Sequence, residues 1–376
     1  MSDPAKVTVI PCDSYVSGFP ECIESLLEPI GGLSSFVSQG SNVLIKPNLL
    51  TDRHPDEAIT THPEVVRHLV RMVRDCGGTP SVGDSPASTV KLSRVQEKTG
   101  FLDMCREEEV PLLNMEQSGS VEIKRDGYTF HIAKPVLDAD VVISAPKVKT
   151  HVLTVLTAGV KNMYGTIPGF LKANLHKEHP AVPDFGRLVA AICRTVPPAL
   201  SVADAVVGLQ GDGPGTGGRP ARLNFLAAST DAFSLDLAIC KVLGIDPKAV
   251  SYLNGAGVPS GLPDIQVIGA SSIDDLSPAD FDVPSTLGAR LVPAFLVNLL
   301  ERFLWIRPAV MDACISCGRC VASCPVAALS MAPKEKPRLE PEKCIGCCCC
   351  HEICPEKAIK MAQSPLLNLI RRGRQP

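Results

Sequence analysis

Residues 314–325 read CISCGRCVASCP, and residues 344–355 read CIGCCCCHEICP. Both stretches place four cysteines at the spacing C-x2-C-x2-C-x3-C and continue with a proline. The second stretch follows the first after 30 residues, and apolar residues recur with it, as Ile315 does at Ile345. An internal repeat with matched apolar positions predicts two copies of one small unit, packed about a pseudo-twofold axis.

The cysteines are concentrated at this end of the chain, since ten of the 16 lie between Cys314 and Cys354. The first residues, MSDPAKVTVIPCDS, lack the basic start and the apolar stretch of a secretory signal, so a soluble, cytoplasmic protein is expected. In a reducing compartment, many cysteines indicate metal or redox chemistry before disulfides. Three closely spaced thiolates with a fourth suit a cubane [4Fe–4S] cluster. The alternatives are a zinc ribbon, which typically uses two separated pairs, and a disulfide knot.

The doubled motif resembles the bacterial two-cluster ferredoxin over about residues 312–364. In that family the fourth cysteine of each motif ligates the cluster of the other motif. The resemblance therefore implies a small α+β ferredoxin-like domain with two [4Fe–4S] clusters, which exchanges electrons with a redox partner protein. It assigns one cluster to Cys314, Cys317, Cys320 and Cys354, and the other to Cys344, Cys347, Cys350 and Cys324.

The second motif departs from the ferredoxin pattern because CIGCCCC contains two additional cysteines, Cys348 and Cys349. Cys348 takes the place of Gly318 in the first motif. We expect Cys348 to be a thiol that does not ligate a cluster, with ligand exchange or redox sensing as the alternative.

The first 270 residues alternate between short β-branched runs and amphipathic helical segments. This alternation predicts an α/β domain with a mainly parallel sheet covered by helices. Asp126–Gly127, between two alternating segments, predicts a hairpin, and Asp231 and Gly244 are expected to begin and end a helix. The predicted strands are residues 6–10, 42–46, 140–145, 200–207, 223–228 and 265–270.

Composition changes along the chain predict four segments: an α/β domain at 1–285, an apolar linker helix within 286–311, the ferredoxin-type domain at 312–364 and a basic tail at 365–376. We expect the linker helix to pack between the two domains and not on a membrane surface. The 37 basic residues against 40 acidic ones, together with 4% aromatic residues, argue against binding to nucleic acid.

Polar residues at predicted strand ends are candidates for ligand binding, since ligands of open α/β sheets lie beyond the carboxyl ends of the strands. Several lysines close together would suit a carboxylate or phosphate, and a solvated loop is the alternative. The acid–base candidates are His151 and Asp84. The candidates for binding a small anion are Lys46, Asn48, Lys147, Lys149, Lys161 and Asn162.

The glycine-rich run GLQGDGPGTGGRP (208–220) follows a predicted strand but matches neither a Walker A loop nor a dinucleotide-binding fingerprint. It is interpreted either as an anion-binding nest formed by Gly211, Asp212 and Gly213 or as a mobile surface loop. His176 and His179 are expected to be surface histidines and not metal ligands.

Together, IKPN (45–48), GDSP (83–86), SAPKVKTH (144–151) with GVKNMYG (159–165), and GLQGDGPG (208–215) resemble the family named domain of unknown function 362. The resemblance covers roughly residues 5–275, and members of the family often carry a C-terminal ferredoxin module. The combined reading is an iron–sulfur electron-transfer protein, a candidate ferredoxin-linked oxidoreductase. The alternatives are a non-catalytic redox sensor or adaptor, and clusters with a structural role alone. Association with a membrane is not expected.

Overall fold

The computed structural model describes residues 4–367, apart from 88, 170, 216, 255–256, 259–260, 270–275, 277, 279 and 288–304. The predicted linker helix at 286–311 and the basic tail at 365–376 fall mostly outside these ranges. No helix in the described ranges is both long enough and apolar enough to cross a bilayer.

The strands belong to one large sheet and three two-stranded ones. In chain order they are β1 (Ala5–Pro11), β2 (Asn42–Pro47), β3 (Thr79–Asp84), β4 (Leu112–Asn114), β5 (Ser120–Arg125), β6 (Tyr128–Ala133), β7 (Val141–Ala145), β8 (Lys147–His151), β9 (Val155–Thr157), β10 (Leu200–Gly211), β11 (Gly218–Ser229), β12 (Ile265–Ile268), β13 (Ile306–Val310), β14 (Leu329–Ser330), β15 (Arg338–Leu339) and β16 (Ile359–Gln363).

The described helices alternate with these strands over the first two thirds of the chain. They are α1 (Phe19–Leu27), α2 (Pro63–Asp75), α3 (Leu92–Lys98), α4 (Phe101–Glu107), α5 (Lys134–Leu137), α6 (Gly159–Asn162), α7 (Leu171–Glu178), α8 (Val182–Thr195), α9 (Ala232–Val242), α10 (Arg319–Ala322) and α11 (Cys349–Glu352).

The large sheet has the strand order β12-β1-β11-β10-β7-β2-β3-β4, with β8 paired to β10 and β9. Six of its nine described pairings are parallel, which confirms an α/β domain with a mainly parallel sheet. The antiparallel pairings involve β11 and β9. β11 runs antiparallel because the glycine-rich segment after Gly211 turns the chain directly back from β10, without a crossover helix.

Local sequence signals explain several of these elements. The hairpin β5–β6 turns at Asp126 and Gly127, whose φ angles of 53° and 83° are the left-handed values that such a turn requires. Asp231 caps α9 by accepting a hydrogen bond from the Ser234 backbone N–H at 2.9 Å. Gly244 follows α9 with a φ of 65°. These predictions are confirmed.

The core lies on both faces of the sheet. Central strand residues such as Leu44 and Ile45 are fully buried, as expected for a parallel sheet covered by helices. On one face α2 packs with an apolar stripe, and on the other face α8 and α9 do so. The stripe of α2 consists of Val65, Val66, Leu69, Val70 and Val73.

The C-terminal region is a small α+β unit in which β13 pairs with β16 and β14 with β15. Its two short helices, α10 and α11, are preceded by residues at equivalent positions of the cysteine repeat, Gly318 and Cys348, which have left-handed φ angles of 74° and 68°. This unit lies against the large domain. Arg319 forms an ion pair with Asp52 at 3.2 Å.

A second contact between the two parts involves α11. His351 is 2% exposed, and its Nε2 lies 2.7 Å from the carbonyl oxygen of Asp212. A β-carbon at Gly215 would lie 2.3 Å from the Glu352 carbonyl oxygen, and one at Gly217 would lie 2.2 Å from the His351 ring. The glycine-rich turn therefore packs against α11 too closely for side chains to intervene.

Candidate functional site

Two small cavities in the C-terminal unit are lined by cysteines from both repeats. The first cavity takes three cysteines from the first motif and one from the second, and the second cavity takes four cysteines from the second motif and one from the first. The linings also include apolar residues, such as Ile359 in the first cavity and Leu329 in the second. The cysteines are Cys314, Cys317, Cys320 and Cys354 in the first cavity, and Cys324, Cys344, Cys347, Cys348 and Cys350 in the second.

Backbone donors point at the sulfur atoms of these cavities. Ala328 N–H donates to Cys324 Sγ at 3.2 Å, and Ala358 N–H donates to Cys354 Sγ at 3.2 Å. The two bonds are equivalent in the repeat. Such N–H···S bonds stabilise thiolates and tune the potential of a bound cluster. Four thiols around an apolar cavity, with N–H donors to sulfur, fit one [4Fe–4S] cluster in each cavity.

Cys348 lines the second cavity but differs from the other cysteines in its backbone. Its φ is 68° and it is 1% exposed. Its thiol donates to the Gly346 carbonyl oxygen at 3.3 Å. Gly318 has the same left-handed conformation at the equivalent position of the first motif. This conformation suits glycine and is unfavourable for cysteine.

A third cavity, of about 60 Å³, lies beyond the carboxyl ends of β2 and β3, between the large domain and α11. We call it the lysine cavity. It brings together side chains that are far apart in the sequence, from Lys46 to Glu352. Its ionisable lining residues are Lys46, Asp84, Lys149, His151, Lys161, Tyr164, Lys172 and Glu352.

Lys46 and Asp84 come from the ends of neighbouring strands and form a buried ion pair, with Nζ 2.7 Å from Oδ1. Asp84 Oδ2 accepts a second bond from the Leu49 N–H at 2.7 Å. Gly165 closes over the pair, since a β-carbon there would lie 2.3 Å from Asp84 Oδ1. Asp84, an acid–base candidate from the sequence, thus lies at the cavity and holds Lys46 in place.

Lys149 is 1% exposed and is held by two acceptors, Asn48 Oδ1 at 2.8 Å and the Ile59 carbonyl oxygen at 2.7 Å. Asn48 in turn donates to Asn162 Oδ1 at 3.2 Å. Both amides line the cavity, as the strand-end pattern suggested. Asn48 positions the Lys149 ammonium, and Asn162 positions Asn48.

Lys172 is the lysine that the sequence reasoning missed. It lies on α7, and its Nζ is 2.5 Å from the carbonyl oxygens of both Ser85 and Pro86. One signal in the sequence was the position of Lys172 between the apolar residues Leu171 and Leu175.

Lys161 and Thr157 have hydrogen-bonding capacity left over. Within the described part of the chain, no acceptor binds the Lys161 ammonium, which lies 5.3 Å from the centre of the Tyr164 ring. Thr157 is 3% exposed, and its Oγ1 has no hydrogen-bond partner among the described residues. A buried hydroxyl without a partner costs free energy, so both groups indicate a polar ligand.

The charges in the lysine cavity do not balance. Four lysines face two carboxylates, Asp84 and Glu352, which leaves an excess of two positive charges when all lysines are protonated. Burial lowers the pKa of every one of these lysines, that of Lys149 to about 7 and that of Lys172 to about 8. An anion would offset both the excess charge and the mutual repulsion.

His151 lies in this cavity with both ring nitrogens occupied. Its Nδ1 accepts a bond from the Leu153 N–H at 3.0 Å, and its Nε2 lies 3.2 Å from Glu352 Oε1. Burial lowers the pKa of His151 to about 3, so the ring is neutral and donates through Nε2. Burial alone would raise the pKa of Glu352, but the bond to His151 and the nearby cations lower it to about 2. His151 therefore positions Glu352, which the sequence reasoning missed.

Four predicted binding residues lie outside the lysine cavity. The Lys147 ammonium forms an ion pair with the buried Asp204 at 2.7 Å and donates to the Val207 carbonyl oxygen at 2.8 Å. The prediction that Lys147 binds the anion is therefore wrong. An acid within the apolar run LSVADAVV requires a buried cation, a signal that pointed to this pairing.

The glycine-rich turn is a docking element and not an anion nest. Asp212 Oδ1 accepts from the Ser285 N–H at 2.7 Å, and the Gly213 carbonyl accepts from the Val152 N–H at 3.0 Å. Gly211, Asp212 and Gly213 do not line the cavity, although Pro214 does. Both interpretations made from the sequence, a nest and a mobile surface loop, are corrected by these contacts.

His176 is also placed differently from its prediction. It is 7% exposed and stacks on Phe185, with ring centres 4.2 Å apart. The expectation of a surface histidine is wrong for His176, because α7 turns this side of the helix towards the core. His179 is half-buried and lies 2.7 Å from Asp184.

Comparisons with known proteins place these sites in a family context. The family model for a domain of unknown function (DUF362) matches residues 43–241, and the model for a 4Fe-4S dicluster domain matches residues 313–358. The chain is also 36% identical over 248 residues to a thylakoid-associated protein of Synechocystis sp., over 65% of this chain and 76% of that protein.

Among solved structures, the lactate racemase apoprotein from Thermoanaerobacterium thermosaccharolyticum is similar with a TM-score of 0.44 and 15% identity. The similarity covers 63% of this chain, and the chain spans 57% of that structure. The sequence match is the stronger finding, because the family model covers more than half of the chain and includes the cavity residues from Lys46 to Lys172. The chain belongs to the family named domain of unknown function 362 and carries a 4Fe-4S dicluster domain after it.

Proposed function

We propose that this iron–sulfur protein holds two [4Fe–4S] clusters and passes single electrons between them and a small anion in the lysine cavity. One observation carries the proposal. The short helix α11 contributes Cys350 to the second cysteine cavity and Glu352 to the lysine cavity. The redox site and the binding site therefore share one element.

The roles of the chain's own residues follow from their contacts. A [4Fe–4S] cluster supplies one-electron chemistry when bound. The N–H donors of Ala328 and Ala358 stabilise the thiolates and so help to set the potentials. Lys149 and Lys161 hold the anion by charge. The close packing of the turn at Gly215 against α11 fixes Pro214 and Glu352 in the wall of the lysine cavity.

This arrangement supports a ferredoxin-linked oxidoreductase that acts on a small anion and receives electrons from a redox partner protein. We also propose segment boundaries at 1–285 and 312–364, with β13 (Ile306–Val310) joined to the C-terminal unit by its pairing with β16. A redox sensor or adaptor would use the same sites without turning the anion over. Turnover of the bound anion separates these two functions.

The cluster content is tested by purifying the protein without oxygen and measuring iron and sulfide. We expect about eight of each per chain, as two cubanes require. Stoichiometric zinc without sulfide would refute the proposal. Cys324→Ala should remove the cluster held by the second motif and Cys354→Ala the cluster held by the first, whereas Cys22→Ala, outside both cavities, should leave the iron content unchanged.

The anion site is tested by isothermal titration of the oxidised holo-protein with sulfate. Lys172→Gln should weaken binding at least tenfold, because one cavity charge is lost. Lys177→Gln is the matched control, since Lys177 lies on the same helix but is exposed. Equal binding by both variants would exclude the lysine cavity as the site.

A further inference from the structure

The lysine cavity and the second cysteine cavity share the helix α11. Glu352 of this helix lines the lysine cavity, and Cys350 lines the second cysteine cavity. Lys161 and Tyr164 line the lysine cavity together with Glu352, and the Lys161 Nζ lies 5.3 Å from the centre of the Tyr164 ring. A charge bound beside Lys161 therefore lies in a cavity whose wall also carries a cysteine of the second cavity.

The volume and charge of the lysine cavity restrict the class of ligand that it can bind. A space of about 60 Å³ admits a few water-sized groups, which is the size of one small oxyanion. The excess of two positive charges matches two negative charges, and Lys161 and Thr157 offer unused donors. We propose that this cavity binds a small oxyanion with two negative charges, and that its binding is coupled to the charge on the second cluster.

The inference rests on the proposed function, because it requires both the cluster and the anion site. One electron delivered by a redox partner adds one negative charge to the cluster, and no bond forms or breaks. Two unit charges about 10 Å apart at an effective dielectric of about 20 change an equilibrium constant roughly tenfold. Reduction of the cluster therefore disfavours binding of the anion, and the effect is larger for a dianion than for a monoanion.

Linkage makes the effect reciprocal. If reduction of the cluster weakens anion binding tenfold, the bound anion lowers the reduction potential of that cluster by about 59 mV. The helix α11 lines the lysine cavity through Glu352 and the second cysteine cavity through Cys350, whereas no residue of α11 lines the first cavity. The coupling should therefore appear in one of the two potentials.

The experiment is an anaerobic redox titration of the holo-protein at pH 6.5, with an electrode and a viologen mediator as the electron source. The potentials are followed by electron paramagnetic resonance with saturating sulfate, oxalate or acetate at constant ionic strength. Calorimetry gives the dissociation constants for the oxidised protein. Sulfate or oxalate should bind at least tenfold more tightly than acetate. Either dianion should also lower one of the two reduction potentials by about 59–120 mV, which corresponds to a ten- to hundredfold weakening of anion binding when that cluster is reduced.

Three other results would each refute a specific part of the proposal. Tight binding of sulfate without a potential shift would overturn the coupling and leave the proposed function intact. Acetate binding as tightly as both dianions would overturn the ligand class. Absence of binding by all three anions, with both clusters present, would reject this inference and the anion site of the proposed function together.

Variants localise the effect. Lys161→Gln should lose both tight binding and the potential shift, whereas Lys177→Gln, an exposed lysine of α7, should retain both. If Lys161→Gln keeps its two clusters and still shows full binding and the full shift, the anion binds elsewhere and the inference is wrong.

Discussion

Raising the pH from 6.5 to 8.5 should release the anion from the lysine cavity. Burial lowers the pKa of Lys149 to about 7, repulsion from Lys161 and Lys147 acts in the same direction, and Glu352 and Asp84 oppose it. Burial also lowers the pKa of Lys172, to about 8. Because the anion needs protonated lysines, affinity is greatest below these values and is lost as the pH rises through them.

The size of the loss follows from the two pKa values. If binding requires both ammonium groups, titration of Lys149 weakens binding about 25-fold between pH 6.5 and 8.5, and titration of Lys172 weakens it about fourfold. The combined loss is about 100-fold, or about 2.7 kcal/mol at 1.36 kcal/mol per tenfold change. Sulfate keeps its charge over this range, so the change reports on the protein.

The assay is calorimetric titration of the oxidised holo-protein with sulfate at fixed ionic strength. Repeating it in buffers of different ionisation enthalpy counts the protons taken up on binding. Lys149→Gln should bind weakly at pH 6.5 and retain a pH dependence of only about fourfold, from Lys172. An affinity that stays within threefold across the range, or that rises with pH, would refute the reasoning.

Three further changes test individual contacts. Gly165→Ala places a β-carbon 2.3 Å from Asp84 Oδ1, so sulfate affinity should fall at least tenfold, and unchanged affinity would contradict the tight closure. Cys348→Gly should keep all iron and raise the apparent melting temperature, because a left-handed non-glycine residue costs about 1–2 kcal/mol, whereas loss of iron would identify Cys348 as a ligand. Glu352→Gln should tighten sulfate binding roughly tenfold by removing a negative charge, as measured by the same calorimetry, and weaker binding would show that Glu352 contacts the ligand favourably.

The sequence was most informative where function depends on local order. Cysteine spacing predicted the iron–sulfur region, which the family comparison confirms. Their positions after apolar runs made Lys46 a candidate for anion binding and Asp84 an acid–base candidate, and the parallel pairing of β2 with β3 brings the two side chains together. Both signals work because a short stretch of chain carries the whole geometric constraint.

Residues that reach the cavity from distant elements were not predictable in this way. Glu352 comes from α11 and Lys172 from α7, and neither local segment shows which surface it will meet. Strand alternation places Lys147 and Lys149 on the same side of β8 and cannot separate their roles. A partner on another strand, Asp204, decides that Lys147 is structural.

The position of Cys350 and Glu352 on one four-residue helix has a consequence for how the protein matures. The segment that must be organised around iron and sulfide is also the wall that completes the lysine cavity. A newly made chain without iron would therefore lack a finished anion site, and acquiring its metal would complete the site in the same event. On the proposed function, the chain would bind its anion only after it has acquired iron.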